Sequence, residues 1–246
     1  MIRYQILIEY VGTNFKGWQI QKKGNTVQGL IQKELSKILK EKIKVYGSGR
    51  TDSGVHAIEQ SAHFDCHTEI KDIRKLVNSI NFFVNPYGVT LLKCIKKTQK
   101  FHARFSAKKR LYKYIIINRP GMPMIEKNRS WHVRKELDVK LMKKGVIKLL
   151  GKKDFSTFRA SSCNAKSPIR TMEKATVTSK KDRIIIKFQS QSFLQQQVRS
   201  MVGCLKYLGE KKWSLDQFAK VIKSKNRRMC APPAPAAGLF LERVFY

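Results

Sequence analysis

Residues 2–10, IRYQILIEY, alternate apolar and polar positions, the period-two signature of a strand with one face in a core. Asn25 and Gln28 then stand at capping-box spacing. Val27, Leu30, Ile31, Leu35, Ile38 and Leu39 follow as the apolar stripe of a helix. Residues 43–46 and 58–66 read as strands, the second with Ala62, Phe64 and Cys66 on one face. A helix over about 70–82 runs through Ile73, Leu76, Val77 and Ile80, and a strand over 88–95 closes the set. The order is β-α-β-β-α-β, the ferredoxin-like unit.

The second half repeats that theme. Residues 110–118, RLYKYIIIN, predict a strand, and 138–150 predict a helix closed by Gly151. Residues 170–178 and 183–189 form a hairpin around 179–182. Helices are expected at 192–209 and 214–224, the latter with a Ser214/Gln217 capping box, and a last strand at 238–246. The fold class is therefore α/β in the α+β sense, with an N-terminal lobe over 1–105 and a C-terminal lobe over 106–246. A chain of 246 residues accommodates both and buries about 70–75% of its unfolded surface without staples.

Charge narrows the partner. Fifty-one Lys and Arg against 17 Asp and Glu give a net +34. That lies far outside the magnitude of ~2–8 that suffices for solubility. An extended polyanion, nucleic acid before membrane, explains it most simply; a lineage-wide lysine excess is the alternative. No apolar run approaches the roughly 18 residues of a membrane span, and MIRYQILIEY lacks a signal-peptide layout, so no membrane partner is expected. The five cysteines are widely spread without a C-x-x-C pair, which argues against a zinc ribbon or a redox dithiol and for reduced thiols in a cytoplasmic protein.

The loop GSGRTDSGVHA, residues 47–57, carries the densest chemistry. Three glycines in eight residues demand a tight loop with exposed backbone. A Walker loop would need Lys-Ser/Thr after Gly54, where Val55 and His56 stand. A dinucleotide fingerprint would need glycine in place of Asp52, and no helix follows. What remains is one carboxylate, Asp52, two residues from Arg50. An arginine nearby keeps a carboxylate ionised and aimed, which suits a nucleophile or general base. Asp-Ser-Gly is also ordinary turn chemistry, so the loop alone leaves both readings open.

Residues 93–113 hold nine Lys or Arg, no acid, and Phe101, His102, Phe105 and Tyr112. Basic groups track phosphates and aromatic faces stack on unpaired bases, a pattern suited to structured RNA, although a solvated basic loop looks the same. Residues 183–209, also acid-free and including Arg199, suggest a second positive wall. His63 and His67 stand i, i+4 on a predicted strand, about 13 Å apart and too far to share a metal ion.

Together these segments resemble the tRNA pseudouridine synthase A family over almost the whole chain. The likeness runs through Gly12-Thr13, Phe15, Gly17-Trp18-Gln19 and Gln21, then Gly49-Arg50-Thr51-Asp52-Ser53-Gly54-Val55-His56-Ala57. It continues with Phe101-His102-Ala103-Arg104-Phe105-Ser106-Ala107, Arg110, Tyr112, Tyr114, Phe193-Leu194, Val198-Arg199, Gly203 and Gly238-Leu239. Val11, Asn85-Pro86-Tyr87-Gly88 and Gln195-Gln196-Gln197 depart from the usual pattern.

The resemblance implies two α/β lobes sharing a mostly antiparallel central sheet, a homodimer, tRNA as substrate, and no cofactor or metal. The implied activity is isomerisation of uridine to pseudouridine at positions 38, 39 and 40 of the anticodon stem-loop. It also implies roles: Asp52 as the catalytic carboxylate, Arg199 as its ion-pair partner, and Arg50 in the gap left by the flipped base. Tyr112 would stack on the uracil and Leu239 would form an apolar floor.

Overall fold

The computed structural model describes all 246 residues and divides into two compact units, Met1–Lys108 with Phe240–Tyr246, and Lys109–Leu239. The first unit begins with β1 (Ile2–Tyr10), α1 (Val27–Leu39), β2 (Val45–Gly47), β3 (His56–Cys66), α2 (Ile73–Val84) and β4 (Val89–Lys97), the expected order. β1 lies between β3 and β4, antiparallel to both, and β2 pairs antiparallel with the outer half of β3. The end of the chain returns here in β10 (Leu239–Phe245), where Phe240 and Leu241 run parallel to His56 and Ala57.

The period-two pattern of β1 places Tyr4, Ile6 and Ile8 on the core face with no exposed surface. Each such side chain contributes roughly 1.5–3 kcal/mol relative to exposure. Val27, Ile31 and Leu35 of α1 and Leu76, Ile80 and Val84 of α2 are the buried positions of their helices. Leu30, Ile38 and Leu39 of the expected stripe are only half-buried.

The α1 cap corrects the sequence reading by one residue. Thr26, not Asn25, is the N-cap: its hydroxyl accepts from the Gly29 amide. Gln28 instead uses its amide to bridge the Ile20 N–H and the Val45 carbonyl, tying the helix start to β2. Asp72 caps α2 by accepting from the Lys75 amide.

The second unit holds β5 (Lys109–Asn118), β6 (Trp131–Val133), α3 (Val139–Ile147), β7 (Gly151–Asp154), β8 (Ile169–Lys180), β9 (Arg183–Ser190), α4 (Gln197–Gly209) and α5 (Leu215–Lys223). β9 lies between β5 and β8, antiparallel to both; β7 extends β8 antiparallel, and β6 adds parallel to β5. The short strands β6 and β7 were not expected, because three or four residues carry no readable alternation.

Three boundaries also move. α3 ends at Ile147, after which the Lys148, Leu149 and Leu150 amides tighten to i−3 bonds, and Gly151 opens β7 rather than closing the helix. The β8–β9 turn is Lys181 and Asp182 alone, with Lys181 left-handed at φ 53. α4 starts at Gln197 rather than 192, because Gln196 is left-handed at φ 59 and the Leu194 amide bonds to the Gln197 side chain.

The class is mixed α/β with mostly antiparallel strands and five α-helices, as expected, although the strands number ten where the sequence predicts eight. No helix is long and apolar enough to cross a membrane. All five thiols are free, but two of them, Cys204 and Cys230, lie with their sulfurs 3.4 Å apart. Sequence spacing alone gives no sign of this proximity, since the two residues stand 26 positions apart.

Candidate active site

Asp52 sits in the connection from β2 to β3, half-buried, at the first position of a tight turn closed by the Val55 amide on the Asp52 carbonyl. Gly54 is the third residue of that turn, at φ 78, the left-handed position that a type II turn requires. The Asp-Ser-Gly triplet is therefore turn chemistry, and it places the Asp52 side chain at the first position of a fixed turn.

The segment 12–18 holds this turn from one side. The Thr51 carbonyl accepts from the Trp18 amide at 3.1 Å, and Ser53 Oγ donates to the Phe15 carbonyl at 3.1 Å. The Gly12 amide donates to His56 Nδ1 at 3.0 Å, which fixes that ring as the tautomer unprotonated at Nδ1. Gly17, at φ 90, lies so close that a Cβ would stand 2.6 Å from the Thr51 carbonyl oxygen. From β1, the Tyr10 hydroxyl meets Thr51 Oγ1 at 2.7 Å inside the core. From the other end, the His56 ring stacks on Phe240 at 4.7 Å.

The start of the loop is fixed by Ser48 and Gln60. The Ser48 hydroxyl donates to Gln60 Oε1, while Gln60 Nε2 donates to the Gly49 carbonyl. Arg50, between these anchors and Asp52, is exposed. The residues Tyr10, Gly12, Gly17, Ser48, Thr51 and Gln60 position the loop, and the spacing argument on 47–57 did not find them. For Gly12, Gly17 and Thr51 the signal in the sequence was the family likeness, which runs through all three.

In the second unit, Tyr112 is buried on β5 and meets Phe193 edge-to-face at 5.1 Å. Tyr114, two residues on and on the same face, donates its hydroxyl to the Pro235 carbonyl. Burial pushes the Tyr114 phenol far above its ordinary value, and the nearby Arg199 charge opposes that rise. Arg199, half-buried in the first turn of α4, donates Nε–H to the Ala234 carbonyl at 2.7 Å. Its own carbonyl accepts from the Ala234 amide at 3.0 Å, so helix and strap are joined twice. A Cβ on Gly238 would stand 2.6 Å from the Tyr114 ring, and Leu239 is buried immediately after it. Tyr114, Arg199 and the strap 231–238 thus form one connected group.

The two basic segments are partly consumed by the fold. In 93–113, Lys96 pairs with Glu69, Lys109 with Glu173, and buried Arg110 donates to the Gln191 carbonyl. Lys93, Lys100 and Lys108 remain exposed, beside Phe105 at 75% exposure. In 183–209, Arg183 pairs with Glu126, and Lys206 with Glu210 at 2.7 Å. His63 and His67 have separate partners: His63 Nδ1 accepts from the Ala103 amide, and His67 pairs with Glu41.

Residues 6–106 and 146–246 match the family model described as tRNA pseudouridine synthase. The chain belongs to the tRNA pseudouridine synthase family. It is 66% identical over 246 residues to the tRNA pseudouridine synthase A of Pelagibacter ubique strain HTCC1062, covering all of both chains. It is 44% identical over 246 residues to the tRNA pseudouridine synthase A of Paramagnetospirillum magneticum strain AMB-1, covering all of this chain and 96% of that one. A chain of a solved Cbf5-Nop10-Gar1 complex overlaps 82% of this chain and 54% of its own length, at 10% identity and a TM-score of 0.33, a likeness that carries no argument.

The departures from the family pattern have local structural roles. Val11 and Gly88 meet, the Val11 amide donating to the Gly88 carbonyl, so two departures form one contact at the edge of the first unit. Gln197 is buried and accepts from the Leu194 amide, while the Gln195 carbonyl accepts from the Ala160 amide. The glutamine run builds the turn that starts α4.

Proposed function

We propose that the protein isomerises uridine to pseudouridine at positions 38–40 of the tRNA anticodon stem-loop, with Asp52 as the essential carboxylate. Family membership supports the reaction class. The observation that carries the residue assignment is the turn at 52–55, fixed by backbone and side-chain bonds from residues 12–18 and 10. A catalytic group must be held to within about half an ångström of its productive geometry, and a surface turn needs no such support.

The reaction breaks the uridine N1–C1′ bond, rotates the uracil, joins C5 to C1′ and moves the C5 proton to solvent while N1 gains one. No redox change occurs, so one carboxylate suffices. Asp52 acts either by attacking C1′, as the nucleophile of a retaining glycosidase does, or by removing the 2′ proton. In this reading Arg199 pairs with Asp52 and keeps it ionised, its planar guanidinium already oriented by Ala234. Arg50 fills the gap left by the flipped nucleotide and grips its phosphate, Tyr112 stacks on the uracil, and Leu239 forms an apolar floor under the ring.

No cofactor or metal enters this reading. A second copy of the chain extends the tRNA-binding surface as a homodimer, and the protein works in the cytoplasm. The net charge of +34 supports a polyanionic substrate. One assay tests the activity: purified protein is incubated with a tRNA transcript without divalent metal, and carbodiimide-stable adducts are mapped. Adducts at 38–40 are expected. Strand cleavage or a bare mobility shift would replace the reading with a nuclease or a binding protein.

A further inference from the structure

Cys204 and Cys230 stand 26 positions apart in the sequence, yet their sulfurs are 3.4 Å apart, only about 1.4 Å more than the roughly 2.05 Å of a disulfide. Cys204 is fully buried in α4, and Cys230 is partly exposed just after the short turn Arg227–Met229. The two thiols are chemically unequal. The hydrogen bond from Cys204, helped by the Arg227 charge and Ser200, draws Cys230 below the ordinary thiol range against the opposing effect of burial. The same hydrogen bond, with burial, drives Cys204 far above that range. Cys230 is thus the more acidic of the two thiols and the less buried residue, while Cys204 holds its proton more tightly. Burial pushes Cys66 up to about 11 and Cys94 up to about 12, so neither competes with Cys230 as the thiolate that meets peroxide first.

The strap immediately after Cys230 has no slack. The Pro232 carbonyl lies against Gly203 of α4, where a Cβ would stand 2.1 Å from the oxygen. Two residues later Ala234 is bonded to Arg199 through both its amide and its carbonyl. Drawing Cys230 toward α4 therefore shifts a strap that also orients the Arg199 guanidinium.

We infer that Cys204 and Cys230 form a peroxide-sensitive dithiol whose closure to a disulfide displaces the strap at Arg199 and slows the reaction. The Cys230 thiolate attacks one oxygen of hydrogen peroxide; the O–O bond breaks, hydroxide leaves, and Cys230 becomes a sulfenic acid. Cys204 then attacks the Cys230 sulfur, the S–O bond breaks, and the departing hydroxide takes the Cys204 proton. Two thiols and one peroxide give one disulfide and two waters. Intracellular disulfides are uncommon, and those that occur are chiefly catalytic or redox-sensing.

The test treats the full-length protein with a few equivalents of hydrogen peroxide, alkylates the remaining thiols under denaturing conditions and maps the peptides. Single-turnover rates on tRNA are measured before treatment, after it, and after dithiothreitol. A linked Cys204–Cys230 peptide and a reversible loss of about tenfold in rate are expected. Cys230→Ala, or Cys230→Ser should the first fold poorly, retains the untreated rate and resists peroxide. Full alkylation of Cys204 beside a sulfinic Cys230 would overturn the dithiol; a linked peptide with an unchanged rate would overturn its effect on Arg199. The rate readout rests on the activity proposed above. An untreated enzyme without activity would fail that proposal separately, since the linkage is read from peptides alone.

Discussion

The Tyr10 hydroxyl lies 2.7 Å from the Thr51 hydroxyl, buried in the first unit and one residue from Asp52. A core strand thereby reaches through its last residue into the loop that carries the carboxylate. Tyr10→Phe leaves Thr51 Oγ1 without this buried partner, at an expected cost of about 1–3 kcal/mol of stability. Thr51→Val should act on the same interaction, so a double-mutant cycle in urea should find the two changes clearly less than additive. Strict additivity would mean that the hydroxyl pair does not hold the loop.

Gly17 tests the same loop from its other side. At φ 90, with the Thr51 carbonyl oxygen 2.6 Å from where a Cβ would stand, Gly17→Ala both strains its own backbone and pushes the Asp52 turn. We expect a destabilisation of about 1–3 kcal/mol and a drop of at least about tenfold in single-turnover rate, with tRNA affinity nearly unchanged. An alanine variant with the parent rate would show that the turn tolerates displacement.

His63 sets a pH dependence of stability. Burial first, then the neighbouring His102 and Arg3, lower its pKa to about 4, against about 6.5 in the unfolded chain. Above pH 6.5 both states hold the ring neutral. As pH falls from 6.5 toward 4 the unfolded chain takes the proton first, so stability present at neutral pH is lost through that window. The loss attributable to this ring is on the order of 2–3 kcal/mol. Urea midpoints at pH 7 and pH 5 should diverge for the parent protein and less for His63→Gln. Equal pH slopes for the two proteins would assign the acid sensitivity elsewhere.

Arg199 owes its orientation to the Ala234 carbonyl, which accepts its Nε–H at 2.7 Å. Arg199→Lys keeps the charge but loses the planar fork and that contact. The expected loss is at least ~10-fold in single-turnover rate, equivalent to ~1.4 kcal/mol of barrier, and Arg199→Ala should lose more. Wild-type chemistry in Arg199→Ala would remove it from the site.

The long elements were legible because their periods are long enough to read. The alternation of β1 and the stripes of α1 and α2 placed the core residues of the first unit. The short strands β6 and β7 were not, and the late start of α4 depends on a left-handed Gln196 that no propensity rule anticipates. Asp52 was visible as one carboxylate in a glycine loop, but its supports come from Tyr10, Gly12 and Gly17, some 35–42 positions earlier, and only folding brings them to it. The cysteines illustrate the same limit: local spacing carried no sign that a helix and a distant strap bring Cys204 and Cys230 to 3.4 Å. Likewise, charge counting could not show that Lys206 pairs with Glu210 and Lys96 with Glu69, partners that only the fold brings near.

The central claim is that Asp52 performs the chemistry while other residues hold the tRNA. The most direct test is the single-turnover formation of pseudouridine by Asp52→Ala and Asp52→Asn, alongside their tRNA affinity at fixed salt. The account predicts no product above background with affinity within a few-fold of the parent, because phosphate contacts dominate binding. Measurable turnover by Asp52→Ala would contradict it.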